Sequence, residues 1–205
     1  MSGMLHRMHP DDFRLKSKYG EIEGANVVDW PISYEELEPY YTLTEELVGI
    51  SGKVDKHPFE PPRSTVDFTQ PPTKENAVVK LFDKSCQALD ITPLVTPRAV
   101  LSKDKPGRDA CYYSNRCGSY GCSSGAKGSS REALLKPALA TGNLTLLSNT
   151  YVKYLHTDKK DEVDHAVVVD TVTGKEKKIK GKIFVVAAQA HESARLLLNS
   201  ANAHH

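Results

Sequence analysis

Residues 182–188 read KIFVVAA, a continuous apolar run from which Gln189 leads into the helical pattern AHESARLLLNS. A strand that is apolar on every residue, without alternation, is built to be covered on both faces. It needs neighbouring strands on both sides, preferably parallel ones, and helices above and below. The other strand signals in the chain are weaker and amphipathic. LTLLSNTYVKYLHTD supports a strand or two, and HAVVVDTVTGKEKKIKG reads as a hairpin turning at Thr173-Gly174. The run 182–188 therefore asks for more sheet than 205 residues visibly supply.

Upstream of the strands the pattern is helical and proline-broken. Ser33 and Glu36 have capping-box spacing and predict a helix start. Pro39 is expected to divide that helix, and Gly49 or Gly52 to end it. Tyr40, Tyr41, Leu43, Leu47 and Val48 are its expected core face, with Glu35-Glu36 and Glu45-Glu46 on its surface. Five prolines between His57 and Thr73 make that stretch a long loop or lid. Residues 74–90 return to helical spacing through Val78, Leu81, Phe82, Cys86 and Leu89, with Cys86 as a buried thiol. SSREALLKPALATGN predicts a helix capped by Ser129 or Ser130 and stopped by Gly142.

Charge is balanced, with 27 basic and 26 acidic residues, which gives no electrostatic reason to expect a nucleic-acid partner. No segment reaches the ~20 apolar residues of a membrane span, and no export signal is read at the N-terminus. The terminal pair His204-His205 carries no weight.

The stretch CYYSNRCGSYGC concentrates Cys111, Cys117 and Cys122. Three sulfurs without a nearby histidine fit zinc poorly. A three-iron cluster suits the count better, with glycine amides available to its sulfides. A disulfide or free thiols remain equal alternatives. GCSSGAKGSS, residues 121–130, lacks the spacing of a phosphate loop. Its glycines and serines, leading into a helix, make either an anion seat or a flexible loop with a cap.

Three segments together resemble the glucose–methanol–choline (GMC) flavoprotein oxidoreductases. They are DWPISYEELEPYYTLTEELVGISG, the cysteine loop with GAKGSSREALLKPALATGNLTLLSNTYVKYL, and IFVVAAQAHESARLLLNSA. Their order and spacing resemble the family over most of residues 11–203, nearest to bacterial sugar and sugar-acid dehydrogenases. The resemblance implies an α/β (α+β) fold: a partial, Rossmann-like FAD-binding fold with a β-meander and part of a substrate or lid domain. Residues 1–110 would be the lid and substrate-domain part, and 111–205 an incomplete part of the FAD-binding domain. It implies FAD as cofactor, held near Val152, Ala187, Ala188 and Gln189, with Gln189 where members usually carry glycine. It implies a three-iron, four-sulfide ([3Fe-4S]) cluster at Cys111, Cys117 and Cys122. The expected substrate is a sugar or other alcohol, and the acceptor a cytochrome c or quinone. A small co-exported subunit and a periplasmic location follow from the same resemblance, with the cytoplasm as alternative.

The family's G-x-G-x-x-G turn and its histidine-bearing substrate region are not found in these residues, so no catalytic residue is named. The chain reads as the interior of a longer enzyme and is expected to lack dehydrogenase activity by itself. The alternatives are a non-catalytic iron–sulfur or metal-binding module, and a cholesterol-oxidase-like member of the family.

Overall fold

A computed structural model describes residues 3–55, 57–114, 117–118 and 120–202, so His204-His205 lie outside it. The chain forms two compact units, Met1–Leu144 and Thr145–His205. The cysteine loop and the helix after it pack within the first unit.

The first unit contains a 3-10 turn (Pro10–Phe13), α1 (Leu15–Tyr19), α2 (Tyr34–Val48) and α3 (Ala77–Ala88). A π-helical turn (Arg131–Leu135) then runs into α4 (Lys136–Ala140). Helix α2 starts on the expected capping box: the Ser33 hydroxyl accepts the Glu36 N–H, and the Glu36 carboxylate accepts the Ser33 N–H. Pro39 does not divide it. The ring removes one N–H from the ladder in the second turn, and the helix continues. Gly49, left-handed at φ 77°, closes it.

The buried face of α2 differs from the expected one. Tyr40, Leu43 and Leu47 are exposed, whereas Tyr34, Glu45 and Val48 are buried. The reason is a charge cluster. Arg7, only 8% exposed, donates to both carboxylate oxygens of Glu45 at 2.8 and 3.0 Å, and to Glu38 at 2.7 Å. Arg63 also pairs with Glu45. Burial pushes the Glu38 carboxyl up, but hydrogen bonds from the Ser64 N–H, Arg7 and Thr42 outweigh it and hold it at about 2. Glu45, expected on the surface, is thus a core residue.

Beneath the end of α2, Val48, Ile50 and Ala133 form a small core with Leu5, Phe68 and Ala99. The chain around it is mostly irregular and is tied by single backbone bridges. Ser51 pairs with both Gln70 and Arg98, and Val100 with Lys127. Gly128 passes so close that a Cβ there would lie 2.4 Å from Val48 Cγ1. Helix α3 forms as expected, capped by the Asn76 side chain on the Val79 N–H. Cys86 is buried, but Val78, Leu81, Phe82 and Leu89 are exposed.

The second unit is an antiparallel meander, β1 (Thr150–Thr157), β2 (Val163–Asp170) and β3 (Glu176–Lys180), followed by α5 (Ala190–Asn199). The architecture is thus a mixture of helices and a three-stranded sheet. The β2–β3 turn is the expected one. Gly174 adopts φ 70°, and Asp170 Oδ1 accepts the N–H groups of Val172 and Thr173.

Residues 182–188 depart from the expectation of a strand covered on both faces. Among the described residues they pair with no strand. Phe184 and Val186 pack on the sheet with Leu155, Ala166, Val168 and Leu196. Ile183 and Val185 point the other way and are 82% and 84% exposed. The physical reason is the one the pattern itself raised: this unit's strands supply cover for one face only.

Removing the Glu45 carboxylate leaves buried Arg7 with Glu38 alone and takes from Arg63 the carboxylate it pairs with. Glu45→Ala is expected to cost about 3–5 kcal/mol in urea unfolding of the chain. Glu46→Ala, on the exposed side of the same helix, should stay within about 0.5 kcal/mol.

Candidate functional site

In the second unit the candidate cofactor residues lie at two places, the start of α5 and strand β1. Ala187, Ala188 and Gln189 follow the unpaired segment, and all three are exposed. Gln189 takes φ 73° and ψ 162°, a region that is almost exclusively glycine's. The backbone thus holds a conformation that glycine adopts freely, with a side chain imposed on it. Among the described residues no side chain caps α5. The Ala188 N–H donates to Ser193 Oγ at 3.2 Å, and the Ser193 N–H to the Gln189 carbonyl at 2.9 Å. The corner is therefore a sharp, strained turn with two small residues ahead of it and an open helix start behind it. Such a turn lets a ligand approach the backbone closely.

Val152 lies on β1, an edge strand, opposite Val168. The ladder slips between Val152 and Tyr154, as a β-bulge does, which re-aims local groups at the edge. Helix α5 is tied to β1 by Arg195 on the Tyr151 hydroxyl at 2.6 Å and by the Leu155 N–H on Ser200 Oγ at 2.9 Å. These residues fit a cofactor held chiefly through backbone contacts: their side chains are small or turned to the open, and the corner has glycine geometry.

In the first unit Cys111, Cys117 and Cys122 are half-buried free thiols. Asn115, Arg116 and Ser119 of the same loop lie outside the described residues. Lys127 organises the loop. Its ammonium donates to the carbonyls of Cys117, Gly118 and Tyr120, the last two at 3.1 and 3.0 Å. Tyr112 and Ser123 bridge its two limbs, hydroxyl to hydroxyl, at 2.7 Å. Arg108 anchors its base by donating to the carbonyls of Val48, Gly125 and Ala126 at 2.7, 2.9 and 3.2 Å. Burial raises the Cys122 thiol. The Ser124 hydroxyl and the N–H groups of Lys127, Ser124 and Ala126 outweigh that and leave it lowered. The thiol lines an open cavity of about 510 Å³ with Lys127, Ser129, Arg131 and Glu132.

The three sulfurs are not gathered around a point that one ion would occupy. Among the described residues the group that is so gathered is His156, Asp164 and His165. Iron–sulfur clusters space their thiolates more widely than a single ion does, so this observation speaks against a mononuclear site only. Segment 121–130 behaves as a capped loop, with Ser129 Oγ accepting the Glu132 N–H at 3.3 Å. Sequence reasoning weighed Lys127 only as a phosphate-loop lysine and missed Arg108. No local pattern marks a lysine or arginine whose partners are backbone carbonyls.

The family model described as GMC oxidoreductase matches residues 25–205, and the chain belongs to that family. It is 34% identical over 204 residues to 2-methyl-1,2-propanediol dehydrogenase of Mycolicibacterium austroafricanum, covering 100% of this chain and 36% of that protein. It is 32% identical to paromamine 6'-oxidase of Streptomyces fradiae, covering 97% and 35% of the two chains. It is 28% identical to the fructose dehydrogenase large subunit of Gluconobacter japonicus, covering 96% and 34%. The chain thus spans about a third of the length of these relatives.

Gln189→Gly should relieve the backbone strain, worth roughly 1–3 kcal/mol, against about 0.5–1 kcal/mol of added unfolded-state entropy. A net gain of about 1 kcal/mol in chemical denaturation of the chain is expected. Gln189→Ala, which keeps a Cβ, should give no such gain.

Proposed function

We propose that a polypeptide carrying this chain is an FAD-dependent dehydrogenase that oxidises the CH–OH group of a sugar or another alcohol. The observation that carries this reading is the Ala187–Gln189 corner. A glycine-type backbone at Gln189, two exposed alanines before it and an uncapped helix after it provide a close-approach surface for a cofactor. The family match and the relatives, which act by name on 2-methyl-1,2-propanediol, paromamine and fructose, support the same reading.

FAD, when bound, supplies the redox chemistry by accepting hydride from the carbinol carbon while a base takes the hydroxyl proton. This chain's share is orientation. The Val152 backbone would meet the adenine end, and the backbone of Ala187, Ala188 and Gln189 would line the cofactor beside a Rossmann-like sheet containing 182–188. No residue of this chain is assigned to proton or hydride transfer, and the chain alone should not turn over substrate. Residues 1–110 would then belong to the lid and substrate side, and 111–205 to the FAD-binding domain.

The two electrons would leave to a cytochrome c or a quinone. A [3Fe-4S] cluster at Cys111, Cys117 and Cys122 is proposed on the resemblance and the sulfur count. A small co-exported subunit is in keeping with a relative named as a large subunit. The periplasm is the proposed compartment, on resemblance alone, ahead of the cytoplasm. No described helix is long and apolar enough to cross a membrane. A non-catalytic metal module and a cholesterol-oxidase-like enzyme draw no support from the relatives above.

The test uses a polypeptide of the relatives' length that carries this segment. It should purify with visible flavin absorption and reduce a dye with a sugar or alcohol donor. Ala188→Trp, which fills the corner, should lower flavin content at least about tenfold while circular dichroism stays unchanged, a loss of about 1.4 kcal/mol in binding. A colourless parent protein, or full flavin content in the variant, would contradict the proposal.

A further inference from the structure

We propose that His156, Asp164 and His165 form a binding site for a divalent transition-metal cation of zinc's class on the β1–β2 hairpin. Their ligand atoms all lie within 4.8 Å of one another. His156 Nδ1 is 2.6 Å and His165 Nδ1 3.0 Å from the same oxygen, Asp164 Oδ1. The two imidazoles stack with centroids 4.5 Å apart and planes 20° apart.

The sheet fixes this arrangement. His156 and His165 are register partners across the antiparallel pair, and the ladder is irregular between His156 and Thr157. That irregularity lies beside the Asp158–Glu162 connection, where Asp158 Oδ1 accepts the N–H groups of Lys160 and Glu162. His165 is 6% exposed on the central strand and cannot swing away, whereas His156 and Asp164 are exposed and can adjust. A site with one rigid ligand and two adaptable ones needs little reorganisation to close.

The chemistry of the donors selects the ion. Two imidazoles and one carboxylate form a borderline set, suited to zinc and its neighbours rather than to calcium or magnesium. Zinc bonds of about 2.0–2.2 Å in a tetrahedron imply donor separations of roughly 3.4 Å. The present nitrogen–oxygen contacts would have to open by less than about 1 Å. Asp164 supplies the anionic donor, with one carboxylate oxygen already set against both ring nitrogens. Metal binding would replace a shared proton network with a shared cation, leaving a coordination position for water on the exposed side. Lys180 on β3 is the register partner of His165, and its exposed ammonium is the charge that opposes the cation.

The test is a Zn²⁺ titration of the metal-free full chain carrying His204→Ala and His205→Ala, so that the terminal pair does not bind. Imidazole NMR resonances of His156 and His165 should shift saturably while that of the exposed His191 stays in place. His156→Ala and Asp164→Asn, both at exposed side chains, should each weaken Zn²⁺ binding at least about tenfold, and His191→Ala should leave it unchanged. Unmoved His156 and His165 resonances in the parent chain would overturn the proposal. So would His156→Ala and Asp164→Asn variants that bind Zn²⁺ as tightly as the parent.

Discussion

A backbone segment that is apolar and extended has two debts, one to its amide groups and one to its side chains. In residues 182–188 both are half settled. Phe184 and Val186 reach the meander, while Ile183 and Val185 face water and no described strand takes the segment's N–H and C=O groups. Water can satisfy the amides, but it cannot recover the roughly 1.5–3 kcal/mol that burying each large aliphatic side chain would add. The second unit is therefore ordered on one side of this segment and open on the other. The strained corner at Gln189 follows directly from the open segment, so the candidate cofactor surface inherits its position from it.

The first unit is built on a different principle. Its apolar core is small, and much of its order comes from cations that collect oxygen atoms. Arg7 gathers Glu38 and Glu45, Lys105 and Arg108 receive the last carbonyls of α2, and Lys127 gathers those of the cysteine loop. A helix C-terminus is negative and its final carbonyls lack helical donors, so a buried arginine there serves both needs. Through Val48 and Ala126, Arg108 joins the end of α2 to the base of the loop that carries the three thiols. Loss of order at either place should be felt at the other.

Much of the local structure was legible from the residues. Ser33 with Glu36, and Gly174, act through rules confined to a few neighbours, and each does what its spacing implied. The buried thiol of Cys86 followed from its place in an apolar pattern. What was not legible depended on partners distant in sequence. Periodicity ranks Leu43 and Leu47 above Glu45, and nothing near α2 announces that Arg7 and Arg63 will bury that carboxylate. Pro39 was expected to break a helix that flanking capping and side-chain ion pairs hold together. The apolar run was recognised as needing a sheet, and its exposure here comes from the shortage of strands that the same pattern implied. In the candidate site, Gln189 was picked out as a substitution for glycine. That its backbone nonetheless holds the glycine conformation needed coordinates. The His156–Asp164–His165 group needed the register of two strands.

Amide hydrogen exchange across residues 183–187 tests the central claim most directly, measured in this chain and in a polypeptide of the relatives' length that carries it. Exchange near the unprotected rate in the chain, with strong protection in the longer polypeptide, is the expected result, because the missing sheet neighbours would then supply the hydrogen bonds. Equal protection in the two would contradict it and would mean that the segment was never built to be an interior strand.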